Sequence, residues 1–291
     1  MDSPSAVSRR AFVGGGLALA GGLVVAGSQP AWAAGGKTRV VAIPFSSDLY
    51  ASPEAQRFTL VLQQGTSNGV KYVAGPPVDV RFRGPSGEWT PYVRMQLDQA
   101  GLPKGRGVYR TQAAFAEAGS WHGQAKFSGA TTKFAMTLPD SAVAPVRGQP
   151  APRAASPTTT DHLGVSPICT RVPECPLHTV SLSNVIGTGK PVAVLFATPA
   201  LCTSMYCGPV LDELLTVREP YQDRITFVHV DIYKNKKGTE ESPTVLAWKL
   251  PSEPWLYTVD AAGNIVNRLD TAFGKDEMQQ AFDDLLTVSA S

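Results

Sequence analysis

Hydrophobic and polar positions alternate in short runs through the first half of the chain, from residue 38 to residue 138. The runs are separated by turn-forming Gly, Pro and Ser clusters, and they show no helical period. Alternation puts the apolar side chains of a strand on one face, and many short strands at regular spacing are typical of a two-sheet sandwich. We therefore predict an antiparallel β-sandwich from seven runs, at residues 39–43, 58–62, 78–82, 92–97, 108–115, 121–127 and 133–138.

The pattern changes near residue 180, where apolar runs of strand length alternate with amphipathic runs of helical length. Residues 191–197 form a continuous apolar run, which is typical of a buried strand, and a helical pattern follows from Val210. A closing amphipathic helix has Met278, Phe282 and Leu285 on one face. The order, a β-α-β unit followed by a β-β-α unit, predicts an α/β domain over residues 168–291, with further strands at 225–231, 255–260 and 265–269 and a short helix at 243–249.

Residues 139–167 separate the two regions and are rich in Pro, Ala, Ser and Thr. Such a composition buries too little apolar area to offset the entropy lost on ordering. We interpret this segment as a linker, semi-extended where its prolines fall.

Composition excludes several classes of partner and protein. The 291 residues include 26 basic and 24 acidic side chains, for a net charge of +2, with no basic run that would neutralise phosphates. Nucleic acid is therefore not expected as a partner. Hydrophobic residues at 43% can build packed cores, so wholesale disorder is also excluded.

The first 33 residues resemble a twin-arginine export signal of bacteria. Arg9 and Arg10 are followed by Phe12, then by a glycine-diluted apolar stretch that ends at a small-residue site near Ala33. That stretch is shorter than the roughly 20 residues of a membrane span. We expect cleavage after Ala33, a secreted, periplasmic or cell-envelope location, and no stable membrane insertion afterwards.

A second resemblance rests on residues 196–209 and on Pro254. The first of these segments places Cys202 and Cys207 between a predicted buried strand and its helix, with Gly208 and Pro209 directly after Cys207. This arrangement resembles the thioredoxin fold and, within it, the exported TlpA-like branch. The resemblance implies that Pro254 is a cis-proline facing the cysteine pair and the substrate. In thioredoxins the pair reads Cys-Gly-Pro-Cys, whereas here Val210 follows Pro209 and the partner cysteine lies upstream.

The cysteine pair suits disulfide exchange, because a helix N-terminus favours the thiolate that attacks and a nearby second thiol resolves the mixed disulfide. We favour Cys202 as the attacker, since it lies on the more open loop, with Cys207 as the resolver. An inert disulfide between Cys202 and Cys207 is the alternative, because disulfides persist in exported proteins.

Cys169 and Cys175 lie in a Pro-rich segment just before the α/β domain, and we predict a structural disulfide between them. A zinc site made by all four cysteines is disfavoured by their spacing and by export, so no metal is expected. His229 falls on a predicted central strand, where a hydrogen-bonded core histidine is the simpler interpretation. His178 follows Cys175 closely but is interpreted as a polar residue of the linker region.

The sequence thus predicts an exported thiol–disulfide oxidoreductase that acts on the thiols and disulfides of other exported proteins without a bound cofactor. One alternative is a thiol peroxidase, because residues 198–207 resemble the cysteine neighbourhood of a peroxiredoxin of the bacterioferritin-comigratory type. The other is a non-catalytic binding protein with permanent disulfides. Residues 107–121 resemble one end of an immunoglobulin-like domain, a likeness of architecture that implies no activity.

Overall fold

The structure is a computed structural model that describes residues 39–67, 69–202 and 204–289. The expected export signal at residues 1–33 lies outside the described residues. Nine strands make up the first half of the described chain: β1 Val40–Pro44, β2 Ser52–Thr66, β3 Gly69–Val73, β4 Asp79–Arg83, β5 Val93–Arg94, β6 Gln96–Asp98, β7 Val108–Phe115, β8 Gly119–Phe127 and β9 Ala130–Leu138.

These nine strands form two antiparallel sheets that enclose one core. One sheet has the order β1-β2-β7-β6, with β3 paired to β2, and the other has the order β5-β4-β8-β9. Apolar side chains from both sheets, including Phe58, Phe82 and Phe134, meet between them, and Phe58 packs on the other two rings at centroid distances of 4.8 and 5.9 Å. Each of the seven predicted runs overlaps a strand, but the run at 92–97 is divided between β5 and β6, which belong to different sheets. An immunoglobulin-like topology for this domain stays a prediction.

The second half of the described chain alternates helices and strands as the sequence pattern predicts. Its elements are α1 Leu182–Val185, β10 Val192–Phe196, α2 Cys207–Val217, a 3-10 turn at Glu219–Tyr221, β11 Thr226–Val230, α3 Pro243–Trp248, β12 Trp255–Val259, β13 Ile265–Asp270 and α4 Lys275–Ser289.

The four strands of this domain form one sheet in the order β11-β10-β12-β13. β10 pairs parallel to β11 and antiparallel to β12, and β12 pairs antiparallel to β13. β10 and β12 are buried along their whole length, because α2 and α4 cover one face of the sheet and α3 lies on the other. This order and these directions are those of a thioredoxin-like fold.

Residues 139–167 connect the two domains without strands or helices, but they are not a free spacer. Ala144 and Ala151 are buried in the core beside β10 and β12. The backbone N–H groups of Gly148 and Ala151 donate to Ile265 and Gly263, at 2.8 and 2.9 Å. Composition alone does not predict this packing, because the segment is stabilised by the core and the backbone of the neighbouring domain instead of by a core of its own.

The two domains meet across a buried network of ion pairs. The Arg57 guanidinium of β2 contacts Asp270 at 3.0 Å and Glu277 at 2.6 Å, and all three side chains are under 10% exposed. Arg268 of β13 reaches back to Asp48 at 2.7 Å. A buried cation is tolerated only where its charge and its donors are matched, so these contacts hold the two domains in one orientation.

In the part of the chain that the structure describes, no helix is both long enough and apolar enough to cross a bilayer.

Candidate functional site

The cysteine pair lies where β10 leaves the sheet and the chain turns into α2. The strand ends at Phe196, the loop carries Cys202, and Cys207 is the first residue of the helix. Pro209 fits this turn because the N–H groups of a first helical turn have no acceptor within the helix. The predicted strand before the cysteine pair and the predicted helix after it are both observed. Cys207 begins α2, and its backbone N–H points at the Cys202 sulfur.

The Cys202 sulfur collects hydrogen-bond donors. The Cys207 thiol donates to it, the backbone N–H of Cys207 lies 3.3 Å away, and the Ser204 hydroxyl oxygen lies 3.2 Å away. These donors stabilise a thiolate, and the bond from the Cys207 thiol is the largest contribution. Together they outweigh the opposing effect of burial and lower the pKa of Cys202 from 9.0 to about 6.

The surroundings of Cys207 raise its pKa instead of lowering it. Its side chain is 0% exposed, and burial is the main reason that its pKa lies well above its usual range. The neighbouring Cys202 sulfur and the negative charge of Glu253 act in the same direction. Cys207 therefore stays a neutral thiol at pH 7, beneath a partner that ionises readily.

Pro254 lies directly before β12, the strand next to β10. The peptide bond between Glu253 and Pro254 is cis, and both residues are buried. The Pro254 carbonyl accepts the N–H of Thr271 at 2.9 Å. Phe196 at the end of β10 pairs with Trp255 of β12, so this loop lies at the same edge of the sheet as the loop that follows β10 and carries Cys202.

The β-sandwich forms part of the surroundings of the pair. Tyr206, directly before Cys207, is 0% exposed because Phe45 and Tyr72 of the sandwich pack edge-on against its ring at 5.6 and 6.4 Å. The Arg106 guanidinium stacks on Tyr72 at 4.6 Å and reaches the sulfur of Met205 at 4.0 Å. Residues from both domains thus border the loop that carries the pair.

The other two cysteines belong to a different group of titratable side chains. Cys169 and Cys175 are buried free thiols, and the ligand atoms of Cys169, Cys175, His178 and His229 all lie within 4.8 Å of one another. The disulfide predicted between Cys169 and Cys175 is therefore not formed in this structure, and it stays a prediction.

Sequence reasoning did not connect the two histidines with these cysteines. The sequence favours a polar linker residue at His178, yet this side chain is only 2% exposed. His229 is buried, as expected for a core histidine, but the sequence does not indicate its contacts with the two cysteines. The available signal was the spacing Cys175-x-x-His178, a short pair of the kind that metal sites use. His229 is 51 residues away from His178, so only the fold brings it to the group.

Comparisons with known proteins give structural likenesses only. No protein-family model matches the chain, and no curated protein matches it. A thiol:disulfide interchange protein of the thioredoxin family from Chlorobium tepidum is similar at 18% identity, covering 49% of this chain and 99% of its own, with a TM-score of 0.34.

Two further solved structures are similar. A candidate thiol:disulfide interchange protein DsbE from Chlorobium tepidum has 16% identity, covers 50% of this chain and 99% of its own, and has a TM-score of 0.35. A thioredoxin-like superfamily protein has 13% identity, covers 37% of this chain and 85% of its own, and has a TM-score of 0.30. At these TM-scores the likenesses carry no argument about function.

Proposed function

We propose that this protein is a thiol–disulfide oxidoreductase in which Cys202 attacks and Cys207 resolves. The observation that carries the proposal is the position of the Cys202 sulfur, which accepts the first N–H of α2 and the Cys207 thiol. A thiol with a pKa of about 6 is largely thiolate at neutral pH, and the thiolate is the nucleophile in disulfide exchange. Cys207 is fully buried, so substrate sulfur meets Cys202 first.

The reaction proceeds in two exchanges. The Cys202 thiolate attacks one sulfur of a substrate disulfide, a mixed disulfide forms, and the other substrate sulfur leaves as a thiolate. Cys207 then loses its proton and attacks the Cys202 sulfur, which releases the second substrate thiol and leaves a Cys202–Cys207 disulfide. The substrate gains two electrons and the protein loses two, and the same steps in reverse oxidise a substrate dithiol.

The loop at Pro254 and the sandwich residues around Tyr206 support a protein substrate for this chemistry. Pro254 is proposed as the substrate-facing residue, because its loop lies at the edge of the sheet where β10 leads into the cysteine loop. Arg106 and Tyr72 offer a cation and an aromatic face at the border of the site. No cofactor is required, since both electrons reside on the two sulfurs. Exported protein thiols as substrates, and export itself after cleavage behind Ala33, belong to the same proposal.

Single serine variants test the assignment. Cys202→Ser is expected to abolish reduction of a disulfide-containing protein, because it removes the nucleophile. Cys207→Ser is expected to accumulate a mixed disulfide at Cys202, visible by non-reducing electrophoresis and mass spectrometry. The redox proposal is abandoned if the Cys202–Cys207 disulfide has a reduction potential below about −300 mV, the range of structural disulfides, and neither variant traps a substrate. Fast consumption of hydrogen peroxide that Cys202→Ser alone removes would indicate a peroxidase instead.

A further inference from the structure

A second chemical centre lies in the same domain, on the outer edge of β11. The chain runs past this edge strand at residues 169–178, and the N–H of His229 donates to the Leu177 carbonyl at 3.0 Å. Four buried side chains have their ligand atoms within 4.8 Å of one another. They are Cys169, Cys175, His178 and His229, and they are 3%, 6%, 2% and 0% exposed. We propose that these four side chains form a closed, tetrahedral Zn²⁺ site.

The separations between the ligand atoms fit such an ion. With Zn–S near 2.3 Å and Zn–N near 2.05 Å, a tetrahedron requires about 3.6 Å between sulfur and nitrogen and about 3.3 Å between two nitrogens. The Cys169 sulfur lies 3.7 Å from His229 Nδ1, and the Cys175 sulfur lies 3.3 Å from both His178 Nε2 and His229 Nδ1. The two nitrogens are 3.1 Å apart. Each of these four distances is within about 0.3 Å of the tetrahedral value. The Cys169 sulfur lies within 4.8 Å of the Cys175 sulfur and of the His178 ligand nitrogen, so binding would draw Cys169 toward the ion.

His229 is also oriented as a ligand. Its Nε2 lies 3.1 Å from the Ala197 carbonyl, which accepts only, so Nε2 carries the proton and Nδ1 offers its lone pair to the cluster. A metal-bound histidine commonly donates its other N–H to a carbonyl or carboxylate, and this contact fixes both the tautomer and the ring. The neighbour of Cys169 is held as well, because the Thr170 N–H and hydroxyl both donate to Asp231, at 2.8 and 2.7 Å.

The charge and the donors favour Zn²⁺ over other ions. Two thiolates and two neutral imidazoles around a divalent ion give a site with no net charge, which a buried position requires. Two sulfur and two nitrogen donors in a tetrahedron are typical of zinc, whereas oxygen donors would suit Mg²⁺ or Ca²⁺. All four ligands are protein side chains, so the coordination shell is closed, as in structural zinc sites.

The position of the centre indicates what it stabilises. The Ala197 carbonyl that orients His229 directly follows β10, where the chain leads into the redox loop, and the Thr170 hydroxyl accepts the N–H of Ala200 at 3.2 Å. A bound ion would therefore tie residues 169–178 to β11 and brace the start of the loop that carries Cys202. This role is independent of the redox chemistry proposed above, because Cys202 and Cys207 supply no ligand.

Metal content tests the proposal. The full chain is reduced, exposed to Zn²⁺, freed of excess ion and analysed by elemental mass spectrometry, and we expect one Zn²⁺ per chain. Cys169→Ser and His229→Gln should each lose most of it. His162→Gln, at an exposed histidine outside the cluster, and Cys202→Ser should retain it. A wild-type protein that holds no more zinc than Cys169→Ser overturns the proposal.

Co²⁺ gives a reading that does not depend on whether the variants fold. Wild-type protein loaded with Co²⁺ is expected to show the intense visible bands of a tetrahedral ion and the near-ultraviolet charge-transfer bands of thiolate ligands. Weak octahedral bands contradict the site. Mass spectrometry of the protein isolated from its native compartment distinguishes the zinc site from a disulfide. A Cys169–Cys175 linkage in most of the chains overturns the zinc site, whereas two alkylatable thiols after chelation support it.

Discussion

The ionisation of Cys202 is the property on which the proposed chemistry depends most directly. Its pKa is about 6 instead of 9.0, so at pH 7 about nine-tenths of the thiol is ionised instead of about one-hundredth. The largest contribution is the hydrogen bond from the Cys207 thiol. We therefore expect Cys207→Ala to raise the pKa of Cys202, and Cys207→Ser to raise it less, since the serine hydroxyl still donates.

The expected size of this pKa shift follows from the strength of one hydrogen bond. A hydrogen bond to a charged group contributes about 1.5–3 kcal/mol, which corresponds to roughly 1–2 pKa units. The midpoint of Cys202 in Cys207→Ala should then lie between about 7 and 8.

The same ionisation affects stability and redox potential with a definite sign. A pKa lowered on folding stabilises the reduced protein fully above the unfolded pKa near 9, and the contribution is lost as the pH falls through 6. At pH 7 it amounts to about 1.4 kcal/mol, or about 30 mV for this two-electron couple. Because the reduced form gains this energy, the Cys202–Cys207 disulfide becomes more oxidising.

The assay is the rate of alkylation of Cys202 by iodoacetamide across the pH range, with the modified residue identified by mass spectrometry. Cys169 and Cys175 are buried and serve as internal references for slow reaction. A midpoint near the unperturbed value of 9.0 for wild-type Cys202, or an unchanged midpoint in Cys207→Ala, would contradict the stabilisation of the thiolate by Cys207.

Two further predictions concern the way the domains are joined. Arg57→Met should lower the free energy of unfolding by about 3–5 kcal/mol in urea titrations, because it leaves Asp270 and Glu277 buried without that cation. The control Arg94→Met changes an exposed arginine and should have little effect. Equal losses of stability in the two variants would contradict the buried network. Trypsin should cleave residues 139–167 slowly despite their composition, because the segment packs on the α/β domain. Ala151→Glu puts a charge into the core beside β10 and should speed that cleavage. Rapid cleavage of the wild-type protein would mean that the segment is not held in place.

The order of elements could be predicted from the sequence because each depends on a local pattern. Alternating residues at 108–115 and the continuous apolar run at 191–197 identify strands without reference to their partners. The strand β3, Gly69–Val73, was missed, since its side chains are exposed or half-buried and carry no clear alternation. Packing of residues 139–167 was missed for a related reason, because their burial depends on the surface of another domain.

The candidate redox pair could be predicted from the sequence, since Cys202 and Cys207 lie close together along the chain and the strand-to-helix turn is a local feature. Its redox role stays a proposal. Which of the two sulfurs ionises was decided by tertiary structure, because the pKa depends on burial and on the donors around each sulfur.

The second cluster depended on tertiary structure altogether. Cys169, Cys175 and His178 are close in sequence, but His229 joins them only because the chain passes along the free edge of β11 before the sheet begins. Periodicity reports which side of an element is buried, and it carries no information about which distant element lies opposite. The sequence by itself therefore determined the strands and helices and placed Cys202 and Cys207 close together along the chain. Only the tertiary structure decided that His229 lies beside Cys169, Cys175 and His178.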